Sequence, residues 1–89
     1  MNNPTHELVF KVLSQMKEEE IFLYDSDAEY YDGVNTTYRY SHEKKCFIVS
    51  LIDIIAASFF EEVELSDKEM AERVTQFSLY DLQQQGFRV

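Results

Sequence analysis

The segment from residue 34 to residue 49 most constrains the fold, because it predicts two strands joined by a short polar turn. His42 to Lys45 is the turn, and the apolar Cys46 to Val49 is the return strand, buried on both sides. A third strand is predicted at Ile21 to Tyr24 from its apolar and aromatic residues. The simplest assembly is a three-stranded antiparallel sheet. The first strand of the pair joined by the turn is Val34 to Ser41, which alternates in strand period. One of its faces would hold Val34, Thr36, Tyr38 and Tyr40.

The N-terminal segment predicts an amphipathic helix from about His6 to Glu19. Thr5 is its predicted N-cap residue. Apolar residues recur at helical steps of three and four, at Leu8, Val9, Val12, Leu13 and Met16.

The C-terminal segment predicts one helix between Ser66 and Gly86. Ser66 and Glu69 form the S-x-x-E capping box at its start. Gly86 supplies the left-handed residue at its end and should bring Phe87 against Leu82 in a Schellman closure.

Residues 50 to 63 fit either a helix or a continued strand. A helix capped by Ser50 with Asp53 and running to about Val63 is favoured, because Ala56 and Ala57 follow and the run is long for one strand. The predicted fold is therefore a single α+β domain of residues 1–89, in the order α-β-β-β-α-α.

Composition limits the classes of function. The chain of 89 residues has 17 acidic and 8 basic residues, so its net charge is −9, which disfavours direct binding of nucleic acid or anionic membrane. Two glycines are too few for a phosphate-binding loop, and the lone Cys46 cannot form an internal disulfide. Met1 to Phe10 lacks a secretory signal, and the most apolar run, Cys46 to Phe60, is too short to span a bilayer. We expect a cytoplasmic protein without a cofactor.

Two candidate chemical sites fail on their spacing. Asp25, Asp27 and Glu29 begin like an EF-hand loop, but Tyr30 stands where glycine is needed and Thr36 where the bidentate glutamate belongs. No metal site is therefore predicted.

His42 and Cys46 are four residues apart but bracket a turn. Cys46 is interpreted as a small core residue and His42 as a turn residue. We expect no enzymatic activity.

The acidic residues are concentrated in two runs. Residues 18–32 contain seven acids and no lysine or arginine, and residues 61–72 contain six acids with only Lys68. If residues 25–29 are extended, successive carboxylates lie about 6.6–6.8 Å apart, similar to phosphates along a nucleic-acid strand. Tyrosines beside these acids suit an arginine-rich surface. Either run could instead be only a solvated face. The predicted partner-binding residues are Asp25, Asp27, Glu29, Tyr30, Tyr31 and Asp32.

These features favour a small acidic binding protein that blocks a basic partner, in particular a nucleic-acid-handling enzyme, by steric occlusion and phosphate mimicry. In size, acidity and order of elements the chain resembles small phage-encoded inhibitors, including some anti-CRISPR proteins; an anti-restriction protein would act in the same way. One alternative is an immunity protein or antitoxin that neutralises a basic nuclease toxin. Another is a self-associating assembly protein, for example a homodimer formed through Phe59 and Phe60.

Overall fold

One helix, four consecutive antiparallel strands and two further helices form an α+β arrangement that places one sheet against the helices. The computed structural model describes residues 4–25, 34–53 and 58–89. The strands form one four-stranded sheet in the order β1-β2-β3-β4, with every neighbouring pair antiparallel. The elements are α1 (His6–Glu19), β1 (Leu23–Asp25), β2 (Val34–Ser41), β3 (Cys46–Asp53), β4 (Ser58–Leu65), α2 (Asp67–Val74) and α3 (Leu79–Gln84).

The N-terminal helix has the predicted bounds. The Thr5 hydroxyl accepts a hydrogen bond from the backbone N–H of Leu8, and Glu20 ends the helix in the left-handed conformation with a φ of 55°. The apolar stripe faces the sheet, where Val9, Val12, Leu13 and Met16 are buried.

The register divides the sheet into two faces. Leu23, Tyr38, Val49 and Val63 are aligned across the four strands and so lie on one face, which we call the helix face. Phe47 and Leu65 lie on the same face and are packed in one core with Met16 and Met70 from the helices. Burial of each such side chain contributes about 1.5–3 kcal/mol, so this cluster is the main stabilising element. The opposite side of the sheet is called the open face.

The predicted helix is wrong for residues 50–53 and 58–63, which are strand, and residues 54–57 lie outside the described residues. The sheet has four strands rather than three. β3 continues to Asp53, and β4 returns beside it with Val63 opposite Val49 and Leu65 opposite Phe47. The register shifts between Leu51 and Ile52, where β4 accommodates one extra residue as a bulge. Pairing with β3 and burial of Leu65 favour the strand in the described part of this segment, because strand formation depends mainly on such tertiary contacts.

The other strands differ less from the prediction. β2 has the predicted bounds, whereas β1 covers Leu23–Asp25 rather than Ile21 to Tyr24. Leu23, the buried residue of β1, lies opposite Tyr38 and fixes this register.

The predicted single C-terminal helix is wrong in its middle. A turn after Val74 separates α2 from α3, and α3 starts at its own N-cap, Ser78, whose hydroxyl accepts from the N–H of Asp81 at 3.1 Å. The turn lets Phe77 enter the core, where it is 7% exposed and meets the ring of Tyr38 edge-on.

Both predicted ends of this segment are confirmed. The Ser66 hydroxyl accepts from the Glu69 N–H at 3.2 Å, and the Glu69 carboxylate accepts from the Ser66 N–H at 2.9 Å. Gly86 has a φ of 99°, and the Phe87 N–H donates to the Leu82 carbonyl at 3.0 Å, as a Schellman closure requires.

Candidate functional site

One of the six predicted partner-binding residues lies in the described part of the chain. Asp25 is the last residue of β1, opposite Thr36, and is half-buried. The other five lie outside the described residues: Asp27, Glu29, Tyr30, Tyr31 and Asp32. The side chains of Phe59 and Phe60, which the self-association alternative invoked, are likewise outside the described set.

Asp25 lies in the wall of a cavity of about 280 Å³ on the helix face. Strand residues Val49, Leu51, Val63 and Leu65 give it apolar lining, and Thr36 and Tyr38 complete the sheet side. Arg73 and Gln76, from α2 and the turn after it, line the other side. The Arg73 guanidinium donates to the Tyr38 hydroxyl at 3.3 Å. The cavity therefore combines apolar surface with a few polar groups, as many binding sites do.

Most of the second acidic run, residues 61–72, has a structural role. Glu62 pairs with Arg39, Glu64 with Lys44 and Asp67 with Lys17. Glu69 belongs to the capping box, and its hydrogen bonds from Ser66 lower the pKa of its carboxyl. The two remaining acids, Glu61 and Glu72, are exposed.

The ion pairs also explain how the open face is covered. Ile48 is 2% exposed although it lies opposite Arg39, on the face away from the helices. Arg39 of β2 reaches across β3 to Glu62 of β4, so that the aliphatic parts of this pair are positioned to shield Ile48. The charges on this face are thus partly balanced within the protein.

The β1 edge of the sheet is closed by a glutamine. The Tyr24 N–H donates to Gln85 Oε1 at 2.6 Å, and Gln85 Nε2 donates to the Tyr24 carbonyl at 2.9 Å. A side-chain amide therefore replaces a neighbouring strand and satisfies the two backbone groups of Tyr24 that point away from β2.

This contact shows in which direction the backbone N–H and C=O groups of each strand residue point. Because alternate residues of an antiparallel strand bond to opposite neighbours, outward-pointing groups on Tyr24 mean that Tyr38 bonds to β1 and Arg39 to β3. The same alternation makes Val63 bond to β3. The backbone N–H and C=O groups of Glu62 and Glu64 consequently point outward from β4, and within the described residues only β3 pairs with this strand.

Sequence reasoning missed this edge because it placed residues 50–63 in a helix. A signal was present: Val63 and Leu65 alternate with Glu62 and Glu64, which is the strand period.

The C-terminal residues are held against α1. Gln15 Oε1 accepts from the Arg88 N–H at 2.8 Å, and Gln15 Nε2 donates to the Arg88 carbonyl at 3.0 Å. The Arg88 guanidinium makes a two-bonded ion pair with Glu19, which lowers the pKa of the Glu19 carboxyl. An open concavity of about 420 Å³ lies beside this junction and is lined by Phe10, Lys11, Ser14, Gln15 and Arg88.

Cys46 and His42 are in different surroundings. Cys46 is half-buried at the start of β3, and burial together with the nearby Glu64 carboxylate raises the pKa of its thiol. A thiol in this environment stays protonated and is a weak nucleophile. His42 is exposed in the turn, packs edge-on against Tyr40 and lies 4.0 Å from the Glu20 carboxylate. Among the described residues, no cluster of three or more His, Cys, Asp or Glu side chains could hold a metal ion.

Comparison with protein families, with curated proteins and with solved structures finds no match to this chain. Over the described ranges, none of the helices has the length and apolar character needed to cross a membrane.

Proposed function

We propose that this chain is a non-enzymatic binding protein that inhibits a basic, nucleic-acid-handling partner. It would act by steric occlusion, with its carboxylates taking the place of nucleic-acid phosphates. Association would be fast and sensitive to salt, because a large net charge steers an oppositely charged partner over long distances.

The observation that carries the proposal is the way the cations are used. Four of the eight lysines and arginines form ion pairs with carboxylates, at Lys17, Arg39, Lys44 and Arg88. These pairs join α1 to α2, β2 to β4, the β2–β3 turn to β4, and the C-terminal residues to α1. The sequence has nine more acids than lysines and arginines, so even pairing of every cation would leave acids over. The surplus is larger than structural pairing uses, which supports a role in binding a basic surface.

The acidic run from Asp25 to Asp32 is the preferred contact. Residues 25–32 contain four acids and no lysine or arginine. Asp25 joins it to the edge strand β1 beside the cavity, where a protruding side chain of a partner could be accommodated. These features support occlusion of a partner surface.

A phage-encoded inhibitor, such as an anti-CRISPR or anti-restriction protein, is the more specific form of the proposal. Because the sheet has a fourth strand, the order of elements no longer supports the resemblance to such inhibitors. Size and acidity still support it.

The test is capture of partners from a lysate of the native host at low and then high salt. The double variant Asp27→Lys with Glu29→Lys should lose a nucleic-acid enzyme that the wild type captures and releases as salt rises. Glu7→Lys with Glu43→Lys is the matched control, because both residues are exposed and the change in net charge is the same. Equal loss with both double variants would contradict a localised acidic contact and leave only a general charge effect.

The same experiment separates the alternatives. A toxin nuclease as the captured protein would identify an immunity protein or antitoxin, which uses the same surface. Light scattering that shows salt-independent self-association, unchanged by the reversals, would favour the assembly role instead.

A further inference from the structure

We infer that the outer edge of β4, with which no strand of the described residues pairs, binds an extended, basic segment of a partner protein as an additional antiparallel strand. The inference rests on the proposed function in that the partner is taken to be basic. It uses the edge formed by residues 61–65 and the cavity beside this edge, which Asp25 also lines, but none of residues 26–32.

The two edges of the sheet are not equivalent. Gln85 occupies the outward N–H and C=O groups of Tyr24 on β1. On β4 the outward groups belong to Glu62 and Glu64, and both residues are exposed. An edge with no partner strand among the described residues is a template for another strand. The bulge next to Leu51 limits regular pairing to the part of β4 that follows it.

Charge selects the occupant of this edge. Pairing β4 with β4 of a second copy would set glutamates opposite glutamates, which destabilises a strand pair. A strand that carries lysine or arginine opposite Glu62 and Glu64 would instead meet carboxylates. Arg39 and Lys44 pair with these carboxylates from the inner side, so an incoming cation would approach from the outer side.

The helix face adds a requirement for apolar side chains. Val63 lies between the two glutamates, is 41% exposed and lines the cavity with Val49 and Leu65. The partner residue opposite Val63 would lie at the mouth of this cavity and cover it. The preferred segment therefore alternates basic and apolar residues, with the basic side chains on the open face and the apolar ones on the helix face.

The test uses a capped eight-residue peptide that alternates arginine and valine. Its affinity is measured by titration calorimetry, and the Glu62 and Glu64 amides are followed by NMR. Both amides should gain a hydrogen bond and exchange more slowly with solvent. In an antiparallel pair with β4, the arginine side chains lie beside Glu62 and Glu64 only if the arginine N–H and C=O groups form the hydrogen bonds to β4. Methylation of the arginine backbone nitrogens should therefore abolish binding, whereas methylation of the valine nitrogens, at the same charge, should preserve it.

A pair of protein variants tests the same point from the other side. Glu62→Pro removes one outward N–H and leaves the β3–β4 hydrogen bonds intact, since a proline is tolerated where its nitrogen faces solvent. Glu62→Gln is the matched control, because it loses the same charge but keeps the N–H. The proline variant should bind the peptide about tenfold more weakly than the glutamine variant, as expected for a lost backbone bond.

Three results would overturn the inference. The first is equal binding of the two methylated peptides, which would mean that charge alone drives association. The second is no binding of the alternating peptide while the wild-type protein still captures a basic partner, which would leave the proposed function in place without this edge. The third is slow exchange of the Glu62 and Glu64 amides in the free protein together with a dimeric mass, which would show that a second copy already covers β4. If Glu62→Pro fails to fold, the two methylated peptides still decide the question on the wild type.

Discussion

Replacement of Gln15 by alanine is expected to lower the free energy of unfolding by about 2 kcal/mol. The Gln15 side chain is 7% exposed and makes three hydrogen bonds, two with the backbone of Arg88 and one to the Lys11 carbonyl at 3.1 Å. Bonds of this kind contribute about 0.5–1.5 kcal/mol each. Alanine would leave the N–H and C=O of Arg88 without their protein partner. Because Arg88 is exposed, water can replace part of the lost interaction, so the expected value lies toward the low end of the sum.

Gln15→Glu is the informative companion variant. Its carboxylate can still accept from the Arg88 N–H, but the other oxygen would face the carbonyls of Arg88 and Lys11, where Gln15 now donates. This contact favours the protonated acid and raises its pKa in the folded state. The penalty is therefore present at neutral pH, and the difference in stability from the wild type should shrink as the pH falls.

Urea unfolding followed by circular dichroism measures both variants, and amide exchange at Arg88 reports on the local contact. The expected order of stability at neutral pH is wild type, then the two variants, with faster exchange at Arg88 in each. A loss below about 0.5 kcal/mol for Gln15→Ala would refute the reasoning, because it would mean that water replaces all three bonds at no cost. A pH-independent deficit for Gln15→Glu would refute the electrostatic part alone.

The remaining predictions concern the caps and the ion pair at the C-terminus. Gly86→Ala should lower the thermal midpoint by an amount equivalent to about 1 kcal/mol, because the φ of 99° is strained for alanine although no atom lies within 4 Å of the new Cβ. Ser66→Ala should cost about 1 kcal/mol in urea unfolding, and it should also raise the pKa of Glu69, as measured by NMR titration. The lowered pKa of Glu19 means that its ion pair stabilises the fold above the unfolded pKa and that this contribution is lost as the pH falls through the folded pKa. Arg88→Gln should return the NMR-measured pKa of Glu19 toward its ordinary value, and no change would contradict the pairing.

The helix ends predicted correctly are those with a local signal in the sequence. Thr5 caps α1, Ser66 caps α2 and Gly86 closes α3, and each acts through bonds to residues within a few positions in the chain. β2 was predicted because its residues alternate in strand period over eight positions, with Val34, Thr36, Tyr38 and Tyr40 on one face. In these cases the sequence contains the interaction that fixes the structure.

The predictions failed where the deciding contact lies far away in the chain or where a second local signal was overlooked. β3 is apolar on both faces, with Phe47 and Val49 in the core and Ile48 under an ion pair, so its residues show no period that separates a strand from a helix. The break before α3 had a local signal, since Ser78 and Asp81 form an S-x-x-D start inside a pattern that was read as one continuous helix.

The candidate site shows why a run of acids in a sequence does not by itself define an acidic surface. Glu62 and Glu64 are neighbours in a run with only Lys68 as a cation, yet Arg39 and Lys44 reach them because β4 lies beside β3 and within reach of β2. Only the sheet order brings these cations from more than 15 residues away in the chain. The same order points the backbone groups of these two glutamates outward. Cations therefore neutralise part of this acidic run on its inner side, yet the run can still select a basic strand on its outer side. There the carboxylates act together with backbone groups that no other described strand pairs.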